Sequence, residues 1–163
     1  MLDNWETMEK QALGELVIWS AALFLVWMRL TDGVEFLGQS FGLTVVEQAP
    51  SRVIATLIGI GILAAVGQLV LRSYLSSKGE TVDFRDERDR LIEHRADRSG
   101  YWSGVVVANL IIGHVLMNQA FGNGKTALLE LTTATGITLA LLSLLIVQEL
   151  ARQITILWLY RRT

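Results

Sequence analysis

Apolar positions in this chain are gathered into four long runs rather than spread at helical or strand periodicity. The runs occupy about 13–30, 53–74, 101–121 and 131–150. Each approaches the roughly 20 residues that an α-helix needs to span about 30 Å of hydrocarbon. The pattern predicts an all-α integral membrane four-helix bundle, a single membrane domain over 1–163. Between the second and third runs stands one charged island, Lys78–Arg98, reading KGETVDFRDERDRLIEHRADR.

The short stretch FGNGK at 121–125 predicts a turn that makes the third and fourth helices an antiparallel hairpin. The first and second helices form a looser hairpin across Thr31 to Arg52. There Gly33, Gly38, Gly42 and Pro50 argue against one regular helix, and VEFL and FGLTVV lie in or near the membrane interface. The acidic amino-terminal MLDNWETMEKQ and the length of the first run oppose a cleaved signal peptide, so the first helix is expected to stay in the mature protein.

Composition strengthens the membrane reading: 52% of residues are hydrophobic and mean hydropathy is +0.42, both high for a soluble domain. Lysine and arginine then orient it. With the island and both termini in the cytoplasm, Lys10, Arg72, Lys78, Arg85, Arg88, Arg90, Arg95, Arg98, Arg152, Arg161 and Arg162 fall on that side. Only Arg29, Arg52 and Lys125 fall outside. Tyr74, Tyr101, Trp102, Trp158 and Tyr160 stand at cytoplasmic interface level in this arrangement, and Trp27 marks the opposite face. A net charge of −2 gives no footprint for direct nucleic-acid binding. The absence of cysteine excludes disulfides, thiolate metal sites and cysteine nucleophiles.

The island has no glycine or proline from Asp83 to Arg98, and its Glu, Arg and Leu content predicts a helix leading into the third crossing. Its i,i+4 pairs, Arg85 with Asp89 and Asp86 with Arg90, are each worth only about 0.2–0.5 kcal/mol. Phe84, Leu91 and Ile92 are its apolar anchors. One reading is a solvated helix that enforces topology. The other is a protein-docking surface, with Asp86, Glu87, Arg88, Arg90 and Glu93 as partner-binding candidates, since interleaved signs suit a specific partner better than an anionic lipid surface. No calcium-loop spacing is present.

Asp86-Glu87-Arg88, then Leu91-Ile92, then Arg95-Ala96 leading into a crossing resembles a family of small bacterial integral membrane proteins of unknown function that carry a D-E-R-x-x-x-I type segment between hydrophobic hairpins. Members are often encoded beside helix-turn-helix regulators. The resemblance implies a bacterial inner-membrane protein that tethers or restrains a regulator.

Polar residues inside the runs are the remaining candidates, because such groups are costly in hydrocarbon. They are Gln68, Asn109, His114, Asn118 and Glu149. They serve either as interhelical hydrogen bonds or as the lining of a small oligomeric transporter or channel. Haem held by His114 is a weaker alternative, since the only other histidine is His94, in the island. Glu15, Gln148, Glu149 and Arg152 are expected at one depth. Gly61-x-x-x-Ala65 and Gly100-x-x-x-Gly104 predict close helix approaches. No hydrolase, zinc-protease, P-loop or dinucleotide motif occurs. The expectation is therefore a non-enzymatic membrane protein without a cofactor, whose partners are the lipid bilayer and a protein or a second copy.

Overall fold

The computed structural model describes residues 7–36, 39–45, 47–78, 87–121, 131 and 133–162. Its elements are α1 (Thr7–Leu30), β1 (Thr31–Phe36), β2 (Gln39–Val45), α2 (Pro50–Ser77), α3 (Glu87–Phe121) and α4 (Ala134–Arg162). All four helices are long and apolar enough to cross a membrane. Residues 79–86 of the island, Phe84 and Asp86 among them, and the FGNGK turn at 122–125 lie outside the described residues.

Each helix extends past its apolar run at one end at least, α1 and α3 before the run and α4 beyond it. α3 shows this best: its 35 residues are about 50 Å long at 1.5 Å per residue, well over the thickness of a hydrocarbon core. Glu87–Arg98 of the charged segment and the third apolar run are thus one uninterrupted helix. α4 continues through QITILWLYRR to Arg162 as one helix.

The first connection departs from the irregular interface segment expected for it. β1 and β2 form an antiparallel ribbon, with Thr31 opposite Val45 and Phe36 opposite Gln39. Apolar residues alternate along both stretches (Val34 and Phe36; Phe41, Leu43 and Val45), which is strand period. The register slips between Asp32–Thr44 and Val34–Phe41, where Gly42 and Leu43 of β2 stand against the single Gly33 of β1, as at a β-bulge.

The helices form a row rather than a closed ring. α1 packs on α2 and on α4, and α4 packs on α3. The main core lies among α1, α2 and α4, where Ala22, Val26, Leu30, Ile60, Leu139 and Ile146 are buried together with Val45 of β2. A second cluster joins Ala12 of α1, Ile92 and Ala96 of α3, and Ile156 and Tyr160 of α4. Two bonds tie α1 and the segment before α2 to α4. Trp27 Nε1 donates to Ser143 Oγ at 3.2 Å, and the Gln48 backbone N–H donates to Thr135 Oγ1 at 3.0 Å.

Candidate functional site

The densest polar chemistry lies where α1, α3 and α4 meet. Glu15 and Gln11 stand four apart on α1, as do Gln153 and Glu149 on α4, so each pair shares a helix face. Glu15 is 8% exposed and Gln153 only 1%. The Gln153 amide nitrogen carries two hydrogens and donates to both Glu15 Oε2 and Glu149 Oε1, each at 2.6 Å. Gln11 Nε2 donates to Glu15 Oε1 at 2.9 Å. Arg152 continues the chain, with Nη1 3.1 Å from Glu149 Oε1 and Nε 2.6 Å from Asp97 Oδ1 on α3.

A small cavity of about 20 Å³ adjoins this junction, lined by Met8, Gln11, Glu15, Glu93, Arg152 and Gln153 among others. Its volume matches that of a single water. Among the described residues no three His, Asp or Glu side chains gather in a metal-binding arrangement. The junction is chemically a clasp: one amide bridges two carboxylates, and one guanidinium bridges two helices.

The charged end of α3 is held beside it. Tyr160 donates its hydroxyl to Asp89, the Arg88 guanidinium lies over the Tyr160 ring, 5.4 Å from its centroid, and Thr155 Oγ1 donates to Ser99 Oγ at 2.8 Å. Ile92 and Ala96 complete this face in the packed cluster. Leu91, expected as an anchor, is instead 56% exposed. It stands one residue from Ile92, about 100° around the helix, so only one of the two can face α4.

Of the partner-binding candidates, Asp86 lies outside the described residues, Glu87 and Arg90 are exposed, and Glu93 is half-buried against the cavity. Arg88 is occupied by the contact with Tyr160.

The intramembrane candidates divide. Glu149 belongs to the clasp. Asn109 is exposed and donates to the carbonyl of Val105 in its own helix at 2.8 Å. His114 and Asn118 are half-buried on α3, and Gln68 is half-buried on α2. Gly104 lies level with Gln148, and His114 is ten residues further along α3, about 15 Å. His114 and Glu149 therefore stand at different heights, and Gln68 belongs to the helix at the opposite end of the row.

Gln11, Asp97 and Gln153 were not singled out from the sequence. The i,i+4 spacing of Gln11 to Glu15 and of Glu149 to Gln153 was the available signal.

Four spanning-length apolar helices in a row define a candidate multi-pass membrane protein. No protein-family model, curated protein or solved structure matches the chain.

Proposed function

We propose that this chain is a non-enzymatic, multi-pass protein of a bacterial cytoplasmic membrane that docks a protein partner on the charged end of α3. Both termini lie in the cytoplasm, the first and second helices and the third and fourth form the two membrane hairpins, and the partner is a regulator or a larger complex. The distribution of lysine and arginine supports the orientation.

The observation that carries the docking reading is the division of labour on α3. Asp89, Ile92, Ala96 and Asp97 are taken up by α4, which keeps this end a rigid helix. Glu87, Arg90, Leu91 and His94 remain exposed on it. A preordered charged face with one large apolar residue loses little entropy on binding, which favours a specific protein contact.

Site-specific photo-crosslinking tests this. A crosslinker at Leu91 is expected to give a discrete protein adduct that disappears when Arg90→Glu and His94→Glu are combined. A crosslinker at Leu110, which is exposed on the apolar part of α3, gives none. Absence of an adduct at Leu91, or the same adduct at both positions, overturns the reading. Arg88→Glu is unsuitable for this purpose because it breaks the chain's own contact with Tyr160.

A further inference from the structure

Read as sequence, the island mixes its signs; in its described part, Glu87–Arg98, the fold takes up most of the acids. Asp89 is bonded to Tyr160, Asp97 to Arg152, and Glu93 is turned towards the cavity that Glu15 and Arg152 also line. Arg95 and Arg98 are exposed, and among the described residues neither has an ion-pair partner. Glu87 and Asp97 are the exposed acids of this described segment: Asp97 gives one oxygen to Arg152, and Glu87 is eight residues from Arg95, about 12 Å along the helix.

Arg95, Arg98 and Trp102 are spaced three and four apart and so form one stripe. Below the arginines, Tyr101 and Trp102 are 60% and 55% exposed and meet edge to face, with ring centroids 5.7 Å apart. Such rings sit at the boundary between hydrocarbon and headgroups. From Trp102, Arg98 is about 6 Å up the helix, within a headgroup layer of about 5–8 Å, and Arg95 is about 10 Å up, at its outer edge.

We propose that Arg95 and Arg98, seated above Tyr101 and Trp102, bind the phosphate headgroup of an anionic phospholipid in the cytoplasmic leaflet. This rests on the membrane reading above, and it uses a level of α3 closer to the bilayer than the docking face at Glu87 to His94. A guanidinium gives the phosphate paired hydrogen bonds as well as charge. Asp97 is exposed between them, but its Oδ1 is held by Arg152, and among the described residues neither arginine pairs with a carboxylate.

The test uses the full chain in mild detergent, titrated with equal amounts of phosphatidylglycerol and phosphatidylcholine, with bound lipid counted by native mass spectrometry. The parent is expected to retain phosphatidylglycerol over phosphatidylcholine by about tenfold. Arg95→Gln with Arg98→Gln abolishes that preference, whereas Arg90→Gln, further from the bilayer, keeps it. No preference in the parent, or a preference unchanged in the double variant, overturns the proposal. Displacement of the lipid by millimolar inorganic phosphate also overturns it, because the site would then be a general anion site. Resistance of the cell-expressed protein to alkaline extraction from membranes is measured alongside. Extraction of the parent defeats the membrane reading itself, while resistance without lipid preference defeats only this inference.

Discussion

The seam between α1 and α2 and the seam between α3 and α4 solve one problem by different means. Along α1 and α2 the contact is apolar and close. A Cβ at Gly67 would fall 2.8 Å from Ile18 Cγ1, and one at Gly14 would fall 2.5 Å from Leu71 Cδ1. Along α3 and α4 the contact is polar, with Asp97 on Arg152, Ser99 on Thr155 and Asp89 on Tyr160. Between helices in lipid there is no hydrophobic gain from association, so close packing and hydrogen bonds must supply specificity. The first seam relies on close packing alone where its glycines meet Ile18 and Leu71. The second adds bonds, and these concentrate where α3 and α4 extend beyond their apolar runs.

The contrast predicts that the largest single effect lies in the clasp joining α4 to α1. Gln153→Leu removes the donor from Glu15 Oε2 and Glu149 Oε1 together and is expected to destabilise the fold by about 3 kcal/mol, because Arg152 still serves Glu149 but the buried Glu15 keeps only Gln11 on Oε1 and its Oε2 is left without a donor. Replacing Glu15 as well, in Glu15→Leu with Gln153→Leu, recovers most of the loss, since the orphaned charge goes with it. Reversible unfolding in mixed detergent micelles measures both. Additive losses in the double variant show that the carboxylate is solvated and the clasp unimportant.

A smaller effect separates the seams directly. At Gly100 a Cβ would lie 3.1 Å from the backbone oxygen of Gln148 and 3.4 Å from Arg152 Cβ. Gly100→Val therefore forces α3 away from α4 at a cost of about 2 kcal/mol, and the same unfolding assay reads it. Gly67→Ala adds a single methyl against Ile18 side-chain atoms rather than backbone, Cγ1 at 2.8 Å and Cδ1 at 2.9 Å, and costs about 1 kcal/mol. The reverse ranking places the tighter seam at α1 and α2. Tyr160→Phe, losing only the hydroxyl given to Asp89, costs about 1 kcal/mol.

How much of this was legible depends on whether a feature is local. The four apolar runs, the helical character of Glu87 to Arg98 and the meeting of Glu15, Glu149 and Arg152 follow from composition, propensity and topology. The choice between Leu91 and Ile92 depends on which side α4 occupies, and no residue of the island states that. Gln153 was passed over because a glutamine near a helix end is ordinary until Glu15 is brought against it from 138 residues away. The ribbon at Thr31 to Val45 was hidden by its glycines, which read as breakers although one marks a bulge.

The mildest prediction concerns two motifs that look alike in sequence. Gly61-x-x-x-Ala65 and Gly100-x-x-x-Gly104 share their spacing, yet a Cβ at Gly61 meets nothing within 4 Å, while at Gly104 it would approach Gln148 Oε1 to 3.1 Å. Spacing alone cannot distinguish a glycine that admits a neighbour from one that merely lacks a side chain, because both leave the same gap on the helix. Gly61→Ala is therefore expected to change unfolding stability by no more than about 0.5 kcal/mol, whereas the same change at Gly104 crowds the Gln148 amide. A loss at Gly61 matching that at Gly104 shows that the outer face of α2 is covered by another helix in the purified protein. The packing seam of α2 would then have two sides rather than one.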